Sequence, residues 1–203
     1  MDPWSLLALS VETEGWMPSV KIRSAVRGDA ATLGRVMVAS WLAGHKGQMP
    51  DEAWRKRVAD WTPEVSAQGW ARVLIDQANG DAPRDVLLVA ANHAGQLVGL
   101  VYGRPADEDD AALTAEMSAL YVDPTCHRQG IGAALLHAAA LELNQLGFST
   151  VRLEVLSANF PARAFYKRMG GHEVGQGTFD EDGYLLPVAI YEWAIGYVAK
   201  GAP

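Results

Sequence analysis

The segment Leu120-Tyr121-Val122-Asp123-Pro124-Thr125-Cys126-His127-Arg128-Gln129-Gly130-Ile131-Gly132-Ala133-Ala134-Leu135-Leu136 carries an apolar strand into a short polar loop. Two glycines one residue apart then open a strongly apolar helix. A helix start offers amide N–H groups with no intrahelical acceptor and the positive end of the backbone dipole. Glycines there let an anion approach without meeting a Cβ. The segment therefore reads as a phosphate site, against a plain tight turn as the competing reading. Two phosphate motifs do not fit it. A Walker loop ends in Gly-Lys-Ser/Thr, whereas Gly130 is followed by Ile131 and Gly132. A dinucleotide fingerprint needs a third glycine where Leu135 stands.

Outward from this segment the elements follow from period and punctuation. Residues 113–122 read as a strand, 130–146 as a helix stopped by Gly147, and 150–156 as a strand with Val151, Leu153 and Val155 on one face. This β-α-β unit predicts two parallel strands with a right-handed crossover. Residues 86–91 and 97–103 flank His93-Ala94-Gly95-Gln96 as a β-hairpin. Residues 159–169 form a short helix with Pro161 in its first turn, and residues 172–195 two strands joined through Asp182-Gly183. Toward the N-terminus, residues 20–26 read as a strand. Asp29 is expected to cap a helix carrying Leu33, Val36, Met37, Ser40 and Trp41 at helical spacing. A break at residues 44–50 precedes a second helix near Asp51, with Trp54, Val58 and Trp61 on one stripe. Pro63 ends or interrupts it, and residues 65–77 suggest a further helical stretch. The acidic run Asp107-Glu108-Asp109-Asp110 reads as a loop. Residues 1–17 are expected to be an N-terminal extension and 18–199 a single α/β domain built on a mixed sheet.

Composition narrows the function classes. The 203 residues, 49% hydrophobic and 20% charged, are those of a globular protein. No apolar run is long enough for a membrane helix, so no membrane partner is expected. A single cysteine, Cys126, excludes an internal disulfide framework, and the five histidines show no metal-ligand spacing. No metal is expected, and cytoplasm is the default location. The net charge of −7 argues against nucleic acid as the main partner and suits a cationic small substrate.

The glycine segment resembles the GNAT acyltransferases, in which Gln/Arg-x-x-Gly-x-Gly/Ala holds the coenzyme A pyrophosphate through backbone amides. Here it reads His127-Arg128-Gln129-Gly130-Ile131-Gly132, with His127 departing from the pattern at the first position. A second segment, Asn159-Phe160-Pro161-Ala162-Arg163-Ala164-Phe165-Tyr166-Lys167-Arg168-Met169-Gly170-Gly171, is similar to the superfamily's strand–Asn–x–x–Ala–x–x–Phe–Tyr–x–x–x–Gly signature. Gly171 stands where the family more often has an aromatic residue. The resemblance covers residues 85–195 in element order and is sharp across 116–171. It implies a GNAT-like fold: a central, mostly antiparallel mixed sheet, a splayed parallel strand pair and flanking helices.

That resemblance also implies acetyl-CoA as the cofactor. Backbone groups of Leu120, Tyr121 and Val122 would pair with the pantetheine arm, and an amide near Val122 would stabilise the oxyanion. His127, Arg128, Gln129, Gly130, Ile131, Gly132 and Ala133 would hold the pyrophosphate. Asn159, Ala162 and Tyr166 would add contacts from the short helix, with Asn159 also readable as a helix cap. Tyr166 is the candidate acid for the leaving thiolate, core packing being its competing reading. Glu116 is the candidate base. Counting by twos from Val122 puts Leu120, Ser118 and Glu116 on one face of the strand, unless a bulge intervenes. A solvated Glu116 is the competing reading, and Glu154 is a rival. His45, in the break at residues 44–50, has two readings, a reach to the acceptor and, preferred, an exposed loop histidine; most of the tryptophans read as core, and Cys126 as no nucleophile.

The function expected is transfer of acetyl from acetyl-CoA to a primary amine of a small molecule, by direct attack in a ternary complex. The alternatives are a non-catalytic acyl-CoA sensor, or an acyltransferase acting on a hydroxyl or a protein amine. Homodimers are common in the superfamily, so a homodimer is left open.

Overall fold

The structure, a computed structural model, describes residues 20–106 and 113–198. The expected extension at 1–17 and the acidic run at 107–110 lie outside them. Among the described residues one seven-stranded sheet runs in the order β1-β2-β3-β4-β5-β7-β6. Its strands are β1 (Val20–Ser24), β2 (Val86–Asn92), β3 (Leu97–Pro105), β4 (Thr114–Val122), β5 (Thr150–Leu156), β6 (His172–Glu181) and β7 (Tyr184–Ala194). Every neighbouring pair is antiparallel except β4–β5, which is parallel. The mixed, mostly antiparallel sheet expected from the sequence is therefore present.

One face carries α4 (Ile131–Gln145), α5 (Phe160–Arg168) and the short α6 (Ile195–Val198). Ile131, Leu135, Leu136, Ala139, Ala140 and Leu143 of α4 are buried at helical spacing. The leucines sit in hollows left by glycines of β3: a Cβ on Gly99 would lie 3.0 Å from Leu135, and one on Gly103 3.1 Å from Leu143. The other face carries α1 (Ala30–His45), α2 (Asp51–Asp60) and α3 (Pro63–Asn79). Helices α1 and α3 cross closely because Gly34 has no side chain; a Cβ there would meet the Pro63 carbonyl oxygen at 2.3 Å.

Several N-terminal expectations change. Asp29 precedes α1 but gives it no side-chain cap. Its carboxylate instead accepts from Arg23 at 2.7 and 3.0 Å and from the Val26 amide at 2.9 Å, because the charged donor competes successfully. Pro63 begins α3 rather than only closing α2, with the Thr62 hydroxyl accepting from the Val65 amide. In α2 only Ala53 is buried, and Trp61 falls just beyond the last turn. The stripe read from Trp54, Val58 and Trp61 is therefore not a core stripe, and Val58 is exposed.

Two features of β4 position the site. It pairs with β5 only from Thr114↔Thr150 to Glu116↔Arg152. Beyond that, residues 117–122 stay with β3 and residues 153–156 with β7, so the parallel strands splay. Second, the register with β3 jumps from Tyr102↔Ala119 to Gly103↔Met117, leaving Ser118 as a bulge. The count by twos fails there. Leu120 and Val122 pack toward α4, whereas Ala119 and Tyr121 face α1 and α3. Ala115 and Met117 also face α4, so Glu116 points to the opposite face from Leu120 and Val122.

Candidate active site

At the start of α4 the loop is built by its backbone. Asp123 accepts from the Thr125 amide and hydroxyl at 2.8 and 2.6 Å, turning the chain after β4. Arg128 (φ 63°) and Gly130 (φ 73°) both adopt the left-handed conformation. For arginine this costs on the order of 1–2 kcal/mol, a strain that clusters at ligand sites. Gly130 precedes the first helical residue and brings no side-chain cap, so the first-turn amides of Ile131, Gly132 and Ala133 keep no intrahelical acceptor. Their dipole and this left-handed turn form an anion-binding concavity suited to a pyrophosphate. Gly132 abuts the strand end: a Cβ there would sit 3.5 Å from Phe165 and 3.8 Å from Val122. The His127 ring donates from Nε2 to the Val122 carbonyl at 2.8 Å; the Ser40 hydroxyl donates to the same oxygen at 2.9 Å.

The splay opens into a cavity of about 710 Å³ that runs from α5 to the β6–β7 hairpin. Leu120, Tyr121, Val122, His127, Asn159, Ala162, Tyr166 and Glu116 all line it. The sequence-derived residues of the strand end and of α5 are thus brought together, with Arg128 to Ala133 at the adjoining helix start. Asn159 is buried and caps α5, its Oδ1 accepting from the Ala162 amide at 3.2 Å. Tyr166 stacks edge-on against Phe165 and Trp193, at centroid distances of 5.4 and 5.6 Å. Burial, and secondarily the neighbouring Tyr121 phenol, push its ionisation well above the ordinary tyrosine range. Tyr121 is itself pushed up to about 12 by burial, partly offset by Arg57. Both phenols keep their protons at neutral pH.

Glu116 accepts from Arg104 at 3.0 Å and from Ser118 at 3.2 Å, so the bulged serine braces it. Glu154 is exposed on β5 and also lines the cavity.

The far wall holds residues to which the sequence reading gave little or no role. His45 is no loop residue: it ends α1, half-buried, stacked 4.6 Å from Trp41. Its Nδ1 donates to the Trp41 carbonyl at 2.8 Å, the only role open to that nitrogen against a carbonyl. Nε2 is therefore the unprotonated nitrogen of the neutral ring. Burial lowers the His45 pKa, so that ring is neutral at pH 7. The Arg57 guanidinium lies 5.0 Å from the Trp41 ring and 4.3 Å from the Trp61 ring, and pairs with buried Glu181 at 3.0 Å. The run Arg55-Lys56-Arg57 beside the tryptophans was the available signal for Arg57. Glu181, beside the Asp182-Gly183 turn, had none. Trp41 and Trp70 are core as expected, while Trp54 and Trp61 are half-buried around Trp41.

A splayed parallel pair next to an anion-binding helix start is the architecture of a coenzyme A-dependent acyl transferase. The chain matches the Acetyltransferase (GNAT) family over residues 49–171 and belongs to it; the family's acyl donor is acetyl-CoA. It is 40% identical to the mycothiol acetyltransferase of Propionibacterium freudenreichii over 41% of this chain and 27% of that protein. It is 32% identical to that of Salinispora tropica over 64% of this chain and 43% of that protein. The match thus spans less than half the length of these relatives. The crystal structure of the PaiA N-acetyltransferase from Thermoplasma acidophilum with coenzyme A shares the fold, at 23% identity and a TM-score of 0.64, covering 87% of this chain and 99% of that one. No described helix is long and apolar enough to cross a membrane.

Proposed function

We propose that the protein transfers the acetyl group of acetyl-CoA to a primary amine of a small molecule, by direct attack within a ternary complex. The observation that carries this reading is the splay of β4 from β5 beyond Glu116↔Arg152, which opens the cavity beside Tyr166 and the uncapped start of α4. In this reading the amides of Ile131, Gly132 and Ala133 hold the pyrophosphate, helped by Arg128 and Gln129. The freed edge of Leu120–Val122 receives the pantetheine arm. Tyr166, protonated at neutral pH, gives its phenolic proton to the departing thiolate. The ammonium of the acceptor must lose a proton before attack. Glu116 is one group for this, through water, on the cavity face; neutral His45, with its free Nε2, is a second. Asn159 orders the turn into α5 and so places Tyr166.

The enclosure of the acceptor wall by α2 and the tryptophans favours a small molecule over a protein amine. The mycothiol acetyltransferase relatives point the same way, since their name specifies a small-molecule acceptor. Initial-rate kinetics with both substrates varied test the ternary complex. Intersecting double-reciprocal lines are expected; parallel lines, the mark of an acyl-enzyme, contradict it.

A further inference from the structure

Among the described residues, Gln48 Oε1 and Arg57 Nε are buried side-chain atoms with no polar partner, while Glu181 Oε1 has the Arg57 terminal nitrogen at 3.0 Å. All three residues line the one cavity, on the wall away from α4. Folded proteins pair nearly all buried polar atoms, because a desolvated group without a partner is unfavourable. Two on one wall, an acceptor and a donor, mark a place built for an occupant.

Each atom is held in position by the rest of its side chain. The Gln48 amide nitrogen donates to the Gly44 carbonyl, which fixes the oxygen as the free end. The Arg57 guanidinium is clamped between Trp41 and Trp61, with one terminal nitrogen on Glu181. Glu181 ends β6 and is 3% exposed. Tyr121 and Tyr166 line the same cavity as these residues, so the wall shares its space with the proposed acid.

The chemistry of the occupant follows from what the atoms lack. Gln48 Oε1 needs a donor, and Arg57 Nε needs an acceptor. Arg57 and Glu181 already neutralise each other, so an additional ion here would be buried without a counter-charge. An ammonium would satisfy Gln48 Oε1 and leave Arg57 Nε unpaired; a carboxylate would do the reverse. A hydroxyl donates and accepts at once.

We propose that Gln48 and Arg57, the latter held by Glu181, form the acceptor subsite and take hydroxyl groups of the substrate, which makes the acceptor class a hydroxylated primary amine. This rests on the amine-acetylating reading above.

The test compares 3-amino-1,2-propanediol, propylamine and β-alanine in two ways. In thiol-release assays with acetyl-CoA, kcat/KM for the diol should exceed that for propylamine by at least about tenfold, the equivalent of one or two net hydrogen bonds. Gln48→Leu should shrink that ratio while reducing propylamine turnover less. In parallel, the indole N–H signals of Trp41, Trp54 and Trp61 are followed by NMR as each amine is added to the protein saturated with coenzyme A. The diol should bind most tightly. If no amine is acetylated, the reaction assigned above fails, and the NMR titration still decides the subsite. Equal affinity for the three amines, preference for β-alanine, or no perturbation by any of them overturns the proposal.

Discussion

Tyr166 and Gly171 show how single residues set this site. The Tyr166 phenol is held protonated by burial, at the point where the cavity meets α5. Tyr166→Phe keeps the ring packing against Trp193 and removes only the hydroxyl. It should lower kcat by about 10²–10⁴ with little change in KM for acetyl-CoA. Wild-type kcat in the variant at every pH contradicts the acid role. Gly171 has a different task. A Cβ there would lie 2.6 Å from the Trp193 indole, whose Nε1 donates to the Met169 carbonyl at 3.1 Å. The indole thus fills the space into which the side chain of an aromatic residue at this position would project. Gly171→Ala should destabilise the fold by about 1–3 kcal/mol through overpacking, read as a shift in the urea midpoint. An unchanged midpoint contradicts that packing.

At the scale of elements, the loop from β4 into α4 trades stability for an anion site. Arg128 holds φ 63° without being glycine. Arg128→Gly should leave thermal stability unchanged or slightly raised, and still weaken acetyl-CoA binding through loss of the cation. Calorimetric titration beside a melting curve separates the two effects; lower stability with unchanged affinity is the contrary result. This loop, α4, β5 and α5 were legible because apolar period, glycine punctuation and two motifs all pointed the same way. The bulge at Ser118 was not. It carries no glycine or proline and is set by pairing with Tyr102 and Gly103 on β3, a tertiary event that moved Glu116 to the other face. The Arg57–Glu181 pair was equally hidden, since nothing local in either segment marks its distant partner. His45 was misjudged because α1 runs on to it before the chain breaks.

Across the whole molecule, the wall proposed for the acceptor is the loosely held part. Helix α2 buries only Ala53 and is tied to the β6–β7 hairpin by polar contacts of Lys56 with Asp182 and of Arg57 with Glu181. Its amides should exchange hydrogen faster than those of α1 and α3, and faster still at high salt. Protection equal to that of α1 contradicts this. The two partly buried phenols make the whole fold sensitive to alkali. An unfolded tyrosine loses its proton near pH 10, whereas Tyr121 keeps its own to about 12 and Tyr166 is also raised. In that window the folded state binds more protons than the unfolded one, so stability falls as pH rises, by about 1.4 kcal/mol per pH unit for each phenol. Tyr121→Phe should flatten the decline; an identical slope contradicts the assignment.

In the proposed reaction the splay between β4 and β5 holds acetyl-CoA for attack by an amine. Calorimetric titration with acetyl-CoA and with free coenzyme A, followed by thiol release across a panel of primary amines, tests this. Saturable binding of both is expected, and thiol release that depends on a small primary amine. Absence of binding contradicts the site built on Gly130 and the splay; binding without release on any amine contradicts the reaction assigned to it.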